Sequence, residues 1–409
     1  MSEVGEVATR PRGATRLLID PAFGGIFWGK LITAAGVWIH GVVAAIVVFS
    51  ATGSAFAVGM VSIAQFVPQL LLSPLSGAWA DRGHAWGQII AGRVVCMAGS
   101  GLLAAWILVV GEVDGWAGAW PVLGASLIVG VGFVLGGPAQ QSIIPRLVTT
   151  AELPAAMTLN TVPTTFARVL GPVVGAMVAS HFGAAAAFGV ASLAHLPLAV
   201  VFIFVRIPEG EARGSDTDYS VRAALRYVRR HRSLRLILLG VTAVGVGSEP
   251  TMTLAPSIAH DLGGGATLVG ALASAFGVGA GVGLLGVGPA QRVGSQAAVA
   301  TSGLVLMSLG MVAVSLAVWA PVGLLGFALC GVGFTWSMAS LGTLVQLQSP
   351  PVLRGRIMAL WMVGFLGGRP AAAAVLGGVA DAASVRVAVA LMAVLLAAVA
   401  VISRPSRLV

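Results

Sequence analysis

Twelve long apolar stretches run along this 409-residue chain in two sets of six, divided by an arginine-rich segment from Arg206 to Arg235. A bilayer core about 30 Å thick takes roughly 20 apolar residues per crossing helix, so twelve such stretches use most of the available length. Charged residues make up only 9% and hydrophobic residues 57%, whereas an ordinary soluble domain is about a quarter charged. No water-soluble surface can be built from this composition. The expected fold class is an all-α membrane protein with twelve transmembrane helices.

The first six spans fall at 23–49, 55–80, 87–110, 121–143, 155–180 and 184–205. The second six fall at 234–258, 267–287, 297–318, 322–347, 356–380 and 385–402. The domain plan is a leader over 1–22, a six-helix bundle over 23–205, a linker over 206–233, a second bundle over 234–402 and a tail over 403–409.

The net charge of +9 is one-sided. With a cytoplasmic N-terminus, nineteen of the 23 basic residues fall on cytoplasmic segments, Arg93 near the start of span 3 counted among them. Arg386 alone falls outside, and Lys30, Arg168 and Arg369 lie within spans. The positive-inside rule puts both termini in the cytoplasm. This placement accounts for the charge without a nucleic-acid partner. The mixed-charge leader lacks a small-residue cleavage site, so span 1 is expected to remain as an uncleaved first helix. Cys96 and Cys330 lie inside apolar spans and read as small buried hydrophobes.

In the linker, Pro208 to Tyr219 is polar and flexible in character. Ser220 to Arg235 is amphipathic, with Val221, Ala224, Leu225 and Val228 on one face against Arg222, Arg226, Arg229 and Arg230. That pattern suits a helix lying on anionic lipid headgroups.

Local matches point to an internal repeat. Gly77 to Gly83 follows span 2, and Gly288 to Gly294 follows span 8, each a short turn carrying Arg and Gly. Span 5 carries Arg168, Gly171, Pro172 and Gly175; span 11 carries Gly367, Gly368, Arg369 and Pro370, then Gly377 and Gly378. Prolines and small residues inside spans allow bending and close helix contact.

On these residues the chain resembles the major facilitator superfamily, and within it the drug and siderophore exporter branch that includes enterobactin exporters and mycobacterial multidrug efflux proteins. Gly77 to Gly83 resembles the signature loop, Arg168 to Gly175 the motif associated with antiporters, and Glu152 to Asn160 and Leu353 to Arg356 also match the branch. The resemblance covers nearly the whole chain. It implies two pseudo-symmetric six-helix bundles that rock around a central cavity lined by spans 1, 4, 7 and 10, with spans 2, 5, 8 and 11 between the halves. It also implies a gate built from Gly77, Asp81, Arg82 and Gly83: Asp81 accepts hydrogen bonds from the N-terminus of span 11 and pairs with Arg354 or Arg356. Gly171, Pro172, Gly175 and Pro370 are the expected bending positions.

The chain departs from the family pattern in four places. His84 to Gln88 replaces a basic pair after the signature loop, Gln140 replaces an arginine at the end of span 4, and in span 1 Val37 and Lys30 replace an acid and a glutamine. The usual proton carrier of span 1 is therefore missing.

Of the fourteen acidic residues, only Glu249 reads as lying inside a span; the others, Asp381 included, fall in loops or at span ends. Glu249 is next to Pro250 and follows Gly245 and Gly247, where the helix is expected to break. A buried carboxylate costs several kcal/mol unless protonated or paired, which marks a functional site. The expectation is a proton taken up in one state and released in another, with Arg168, Arg369 or Lys30 as partner. A permanent structural pair with one arginine is the competing reading.

Three cations against one acid leave an excess of positive charge. Unless Lys30 snorkels to the interface, the cavity is expected to favour anionic or amphipathic substrates. Trp38, Asn160, Trp336 and Gln346 are candidates for the substrate pathway.

Gly281, Gly283 and Gly286 match a dinucleotide-binding string but lie inside apolar span 8 with no strand before them, so they read as helix packing. The chain has no phosphate-binding Gly-x-x-x-x-Gly-Lys-Ser/Thr, which leaves a secondary gradient as the energy source. Histidines are scattered singly, so no metal or other cofactor is expected, and no enzymatic activity. The expected function is a proton-coupled exporter of drugs, siderophores or lipid-like metabolites, acting as a monomer in the bacterial cytoplasmic membrane with a small-molecule substrate, protons and lipids as partners. The alternative is a passive lipid flippase or a transporter-like cell-envelope assembly protein.

Overall fold

The computed structural model of the chain describes residues 12–79, 85–144, 147–149, 152–204, 221–350 and 353–408. Eleven helical stretches among the described residues are long and apolar enough to cross a membrane. One of them, Val162–Phe204, is 43 residues long, roughly 65 Å of helix and twice a bilayer core. It is broken at Gly183, whose φ of 85° and ψ of 166° lie in a region that residues with a Cβ scarcely enter. The stretch makes two crossings, and the total is the expected twelve.

Span 1 is Phe23–Thr52, span 2 Ala55–Trp79, span 3 Ala85–Val110 and span 4 Gly115–Ile143. Span 5 runs from Leu153 to Gly183, and span 6 continues to Phe204 across a turn at Ala194 and His195. Span 7 comes in three pieces, Arg232–Gly247, Pro250–Thr253 and Ala255–Asp261. Spans 8, 9 and 10 are Ala266–Val293, Gln296–Ser315 and Ala320–Gln348; span 11 is Arg354–Gly367 with Arg369–Ala382, and span 12 is Val385–Ile402. Span 4 starts at Gly115 rather than at 121, because Asp114 holds extended backbone ahead of the helix and Trp116 and Trp120 stand exposed at the level of a membrane interface.

Packing repeats between the halves. Spans 3 and 4, 2 and 4, 1 and 5, and 3 and 6 pack together in the first half; spans 9 and 10, 8 and 10, 7 and 11, and 9 and 12 do so in the second. The seam follows the same rule, with span 5 on span 8 and span 11 on span 2. Adding six to each span number converts one contact into the other. The fold is two pseudo-symmetric six-helix bundles.

An even number of crossings brings both chain ends to one end of the molecule, the terminal end. The seam is sealed towards the opposite, distal end, where small residues let the backbones meet. A Cβ on Gly59 would lie 2.6 Å from the Ala373 carbonyl oxygen, and one on Gly377 would lie 2.7 Å from that of Ala55. On the other side of the molecule, Gly270 faces the Pro172 carbonyl and Gly277 faces Val169.

The linker helix Val221–Arg230 rests on spans 7 and 11. Ala224 and Val228 are buried and Arg222, Arg226, Arg229 and Arg230 are exposed, matching the two expected faces. Leu225 departs from them: it is 39% exposed, beside the arginines.

Candidate functional site

The site is built where helices break. The first helix of span 7 ends at Gly247, and Glu249 stands just ahead of Pro250, whose missing N–H cannot continue the ladder. Span 11 breaks in the same way at Gly368, and Arg369 opens its second helix directly before Pro370. Close packing of spans 7 and 11, with Gly245 against the Phe365 carbonyl and Gly368 against Val246, brings the two breaks together. The Arg369 Nε donates to Glu249 Oε2 at 2.8 Å, with Glu249 0% and Arg369 8% exposed. Thr253 Oγ1 donates to the other carboxylate oxygen at 3.0 Å.

This pair also touches the opposite half. The Arg369 guanidinium lies over the Phe66 ring of span 2, 4.2 Å from its centroid, and the Thr253 hydroxyl is 3.3 Å from that of Ser62. A change of charge on Glu249 is therefore felt at the seam. Of the three cations expected as its partner, the structure selects Arg369.

Arg168 lies midway along span 5. Pro172 removes the N–H that would bond its carbonyl, and the neighbouring Val169 carbonyl accepts from Ser274 Oγ of span 8 at 2.7 Å. The guanidinium is enclosed by rings, with Cζ 5.1 Å from the centroid of Trp38, 5.0 Å from Phe334 and 5.9 Å from Phe276. Two spaces meet at this side chain. A space of about 30 Å³ on the distal side, about the size of a water molecule, is lined by Trp38, Arg168, Pro172 and Arg369 among others. A cavity of about 220 Å³ extends towards the terminal end between spans 5, 8 and 10, lined by Arg168, Leu284, Phe334, Thr335 and Met338 among others.

Lys30 is elsewhere. It is 9% exposed, and its Nζ donates to the side-chain oxygen of Asn160 at 2.7 Å and to its carbonyl at 2.9 Å, tying span 1 to span 5. It neither snorkels nor lines the two spaces at Arg168. Gly171 and Gly175 bring the same two spans together higher up, against Trp38 and Ile39. Trp336 donates its indole N–H to the Gly283 carbonyl at 3.1 Å, and Gln346 is exposed near the end of span 10. Of the proposed gate, Asp81, Arg82 and Gly83 lie outside the described residues, Gly77 lies in the last turns of the span 2 helix, and Arg354 and Arg356 open span 11.

A family described as transmembrane secretion effector matches residues 16–409. The chain belongs to this family of the major facilitator superfamily. An uncharacterized MFS-type transporter of Sinorhizobium fredii, y4rN, is 26% identical over 361 residues, covering 85% of this chain and 86% of that protein. Among solved structures, the nucleoside transporter NupG superposes with a TM-score of 0.73 at 11% identity, covering 94% of this chain and 98% of the other. A bacterial homolog of the lysosomal transporter Spinster in its occupied form scores 0.72 at 14% identity, covering 94% and 96%. The peptide transporter PepTSo scores 0.71 at 13%, covering 96% and 97%. At these identities the solved structures establish the fold.

Two features of this MFS transporter escaped the sequence reading. The first is Asp381, in the last turn of span 11, which caps span 2 across the seam. Its carboxylate accepts from Ser54 Oγ at 2.5 Å and from the backbone N–H groups of Ala55 at 2.7 Å and Phe56 at 3.1 Å. These are orphan donors of a helix N-terminus, where a negative charge is favoured. The distal end is thus closed by a bond between the halves.

The second is a clamp at the terminal end. Arg12 donates from Nε to Glu152 Oε1 at 2.9 Å, from Nη2 to Glu152 Oε2 at 3.0 Å, and from Nη1 to Asp20 Oδ2 at 2.7 Å. The Thr149 and Arg12 backbone amides also donate to Glu152, at 3.0 and 2.8 Å. The Arg12 guanidinium, followed by these amides, holds the Glu152 carboxyl well below the usual carboxylate range. A depressed value stabilises the fold fully above the unfolded-chain pKa of about 4.3, and that contribution fades as pH falls further. Thermal unfolding should be insensitive to this group down to about pH 4.3 and show an acid-side decline below it. Glu152→Gln is expected to flatten that decline; an identical acid limb in the variant assigns the decline to other groups.

One basic residue needs reassignment. Arg93, counted with the cytoplasmic segments, is 1% exposed inside the first half, two turns into span 3. Its Nη2 reaches only the Gly132 carbonyl, at 3.4 Å.

Proposed function

We propose that this protein is a secondary active transporter that exports hydrophobic or amphiphilic small molecules across the cytoplasmic membrane, with protons as the coupled ion and Glu249 as their carrier. The buried Glu249–Arg369 pair carries this reading, because it joins two helix breaks at the seam between the halves. Protonation of Glu249 removes the attraction that holds the breaks together, and an ion pair so removed from water is not retained for stability alone. The charge asymmetry of the loops supports placing the terminal end in the cytoplasm. In that orientation the 220 Å³ cavity opens inward and Asp381 closes the outer side.

Transport into proteoliposomes with and without an imposed pH gradient tests the coupling. The expected result is accumulation of an amphiphilic dye only with the gradient. Equal flux under both conditions would instead favour the passive flippase or assembly role.

A further inference from the structure

Four cations of the described residues lie at membrane depth within the spans, and three have polar partners, Arg93 through the Gly132 carbonyl at 3.4 Å. Arg369 is matched by Glu249, and Lys30 by the two oxygens of Asn160. Arg168 differs. Among the described residues, no side chain or carbonyl accepts a hydrogen bond from its guanidinium, and its company is three aromatic rings. Ring faces balance part of the charge, but they occupy none of the five N–H donors. An arginine at mid-membrane without an anion is costly, and planar recognition of a carboxylate or phosphate is what the guanidinium does best. The cavity below it has the cation at one end and amphiphilic walls, with Leu284, Phe334 and Met338 beside Thr164, Thr165 and Thr335.

Building on the transporter reading, we infer that the transported molecule is a small amphiphilic anion, its acid group held by Arg168 between Trp38 and Phe334 and its apolar body lying along Leu284 and Met338. The acid can come from a soluble metabolite or from a membrane lipid. A cavity of about 220 Å³ suits the smaller source.

The test is binding rather than transport, so it is independent of proton coupling. Purified protein in a non-ionic detergent is titrated calorimetrically with 4-phenylbutyrate, 4-phenylbutanol and 4-phenylbutylammonium, three probes of one shape and different charge. The acid is expected to bind about tenfold to a hundredfold more tightly than the alcohol, the range of a hydrogen bond to a charged group. Arg168→Gln should erase that difference, Arg168→Lys should keep part of it, and Lys30→Gln should leave it unchanged. Unfolding midpoints of the variants confirm that each is folded. Oleate as a fourth probe separates the sources, since tighter binding of oleate that still requires Arg168 would assign the acid to lipid. Equal binding of the three short probes, preference for the ammonium, or an acid preference that survives Arg168→Gln overturns the assignment.

Discussion

Glu249→Gln is expected to abolish accumulation driven by a pH gradient while leaving substrate exchange intact. Glutamine keeps the size of the side chain and can still accept from Arg369 or Thr253, so the break in span 7 should hold its geometry. What is lost is the ability to change charge, and only gradient-driven work depends on that. Glu249→Ala is a different experiment, because it strands a buried arginine, which costs roughly 3–5 kcal/mol and should lower the unfolding temperature markedly. Arg369→Gln in the Glu249→Gln background should recover much of any stability lost without recovering accumulation. Should the Gln variant accumulate substrate as well as the parent, the pair is structural and the proton travels elsewhere.

Asp381→Ala should loosen the distal end. The variant removes the acceptor for two backbone N–H groups and for Ser54, a cap worth roughly 0.5–2 kcal/mol, equivalent to about a twofold to thirtyfold change in a two-state ratio. The readout is a cysteine at Ser62, buried on the seam beside Thr253. Both native cysteines are buried, so a membrane-impermeant maleimide reports mainly on the new site. Labelling at Ser62→Cys should be several times faster when Asp381 is alanine, with Asp381→Asn in between. An unchanged rate shows that the glycine contacts at Gly59 and Gly377 close this end unaided.

The spans were legible because length and apolarity alone decide whether a helix can cross a bilayer. The break at Glu249 was legible because Gly245, Gly247 and Pro250 surround it in sequence. Its partner was not: choosing Arg369 over Arg168 and Lys30 depends on how closely spans 7 and 11 approach, which Gly245 and Gly368 determine only once folded. The tie between Lys30 and Asn160 was illegible for the same reason, since the two are 130 residues apart. The clamp at Arg12 has no local pattern at all.

Asp381 is another matter. Its partners are more than 300 residues distant, yet Gly377-Gly378-Val379-Ala380-Asp381 echoes Gly77-Ala78-Trp79-Ala80-Asp81 at the end of span 2. The signal is present in the chain, at the distal end of a span rather than at the terminal end.

The break at Gly368 gives span 11 mechanical leverage. From Arg369 to Asp381 the helix is about 18 Å long, so a bend of roughly 10° at the break would swing its far end by about 3 Å. That travel matches the length of the bonds Asp381 makes to span 2, 2.5 to 3.1 Å. A change in charge at the fulcrum would therefore unhook the far end of the lever and part the Gly59 and Gly377 contacts that lie between.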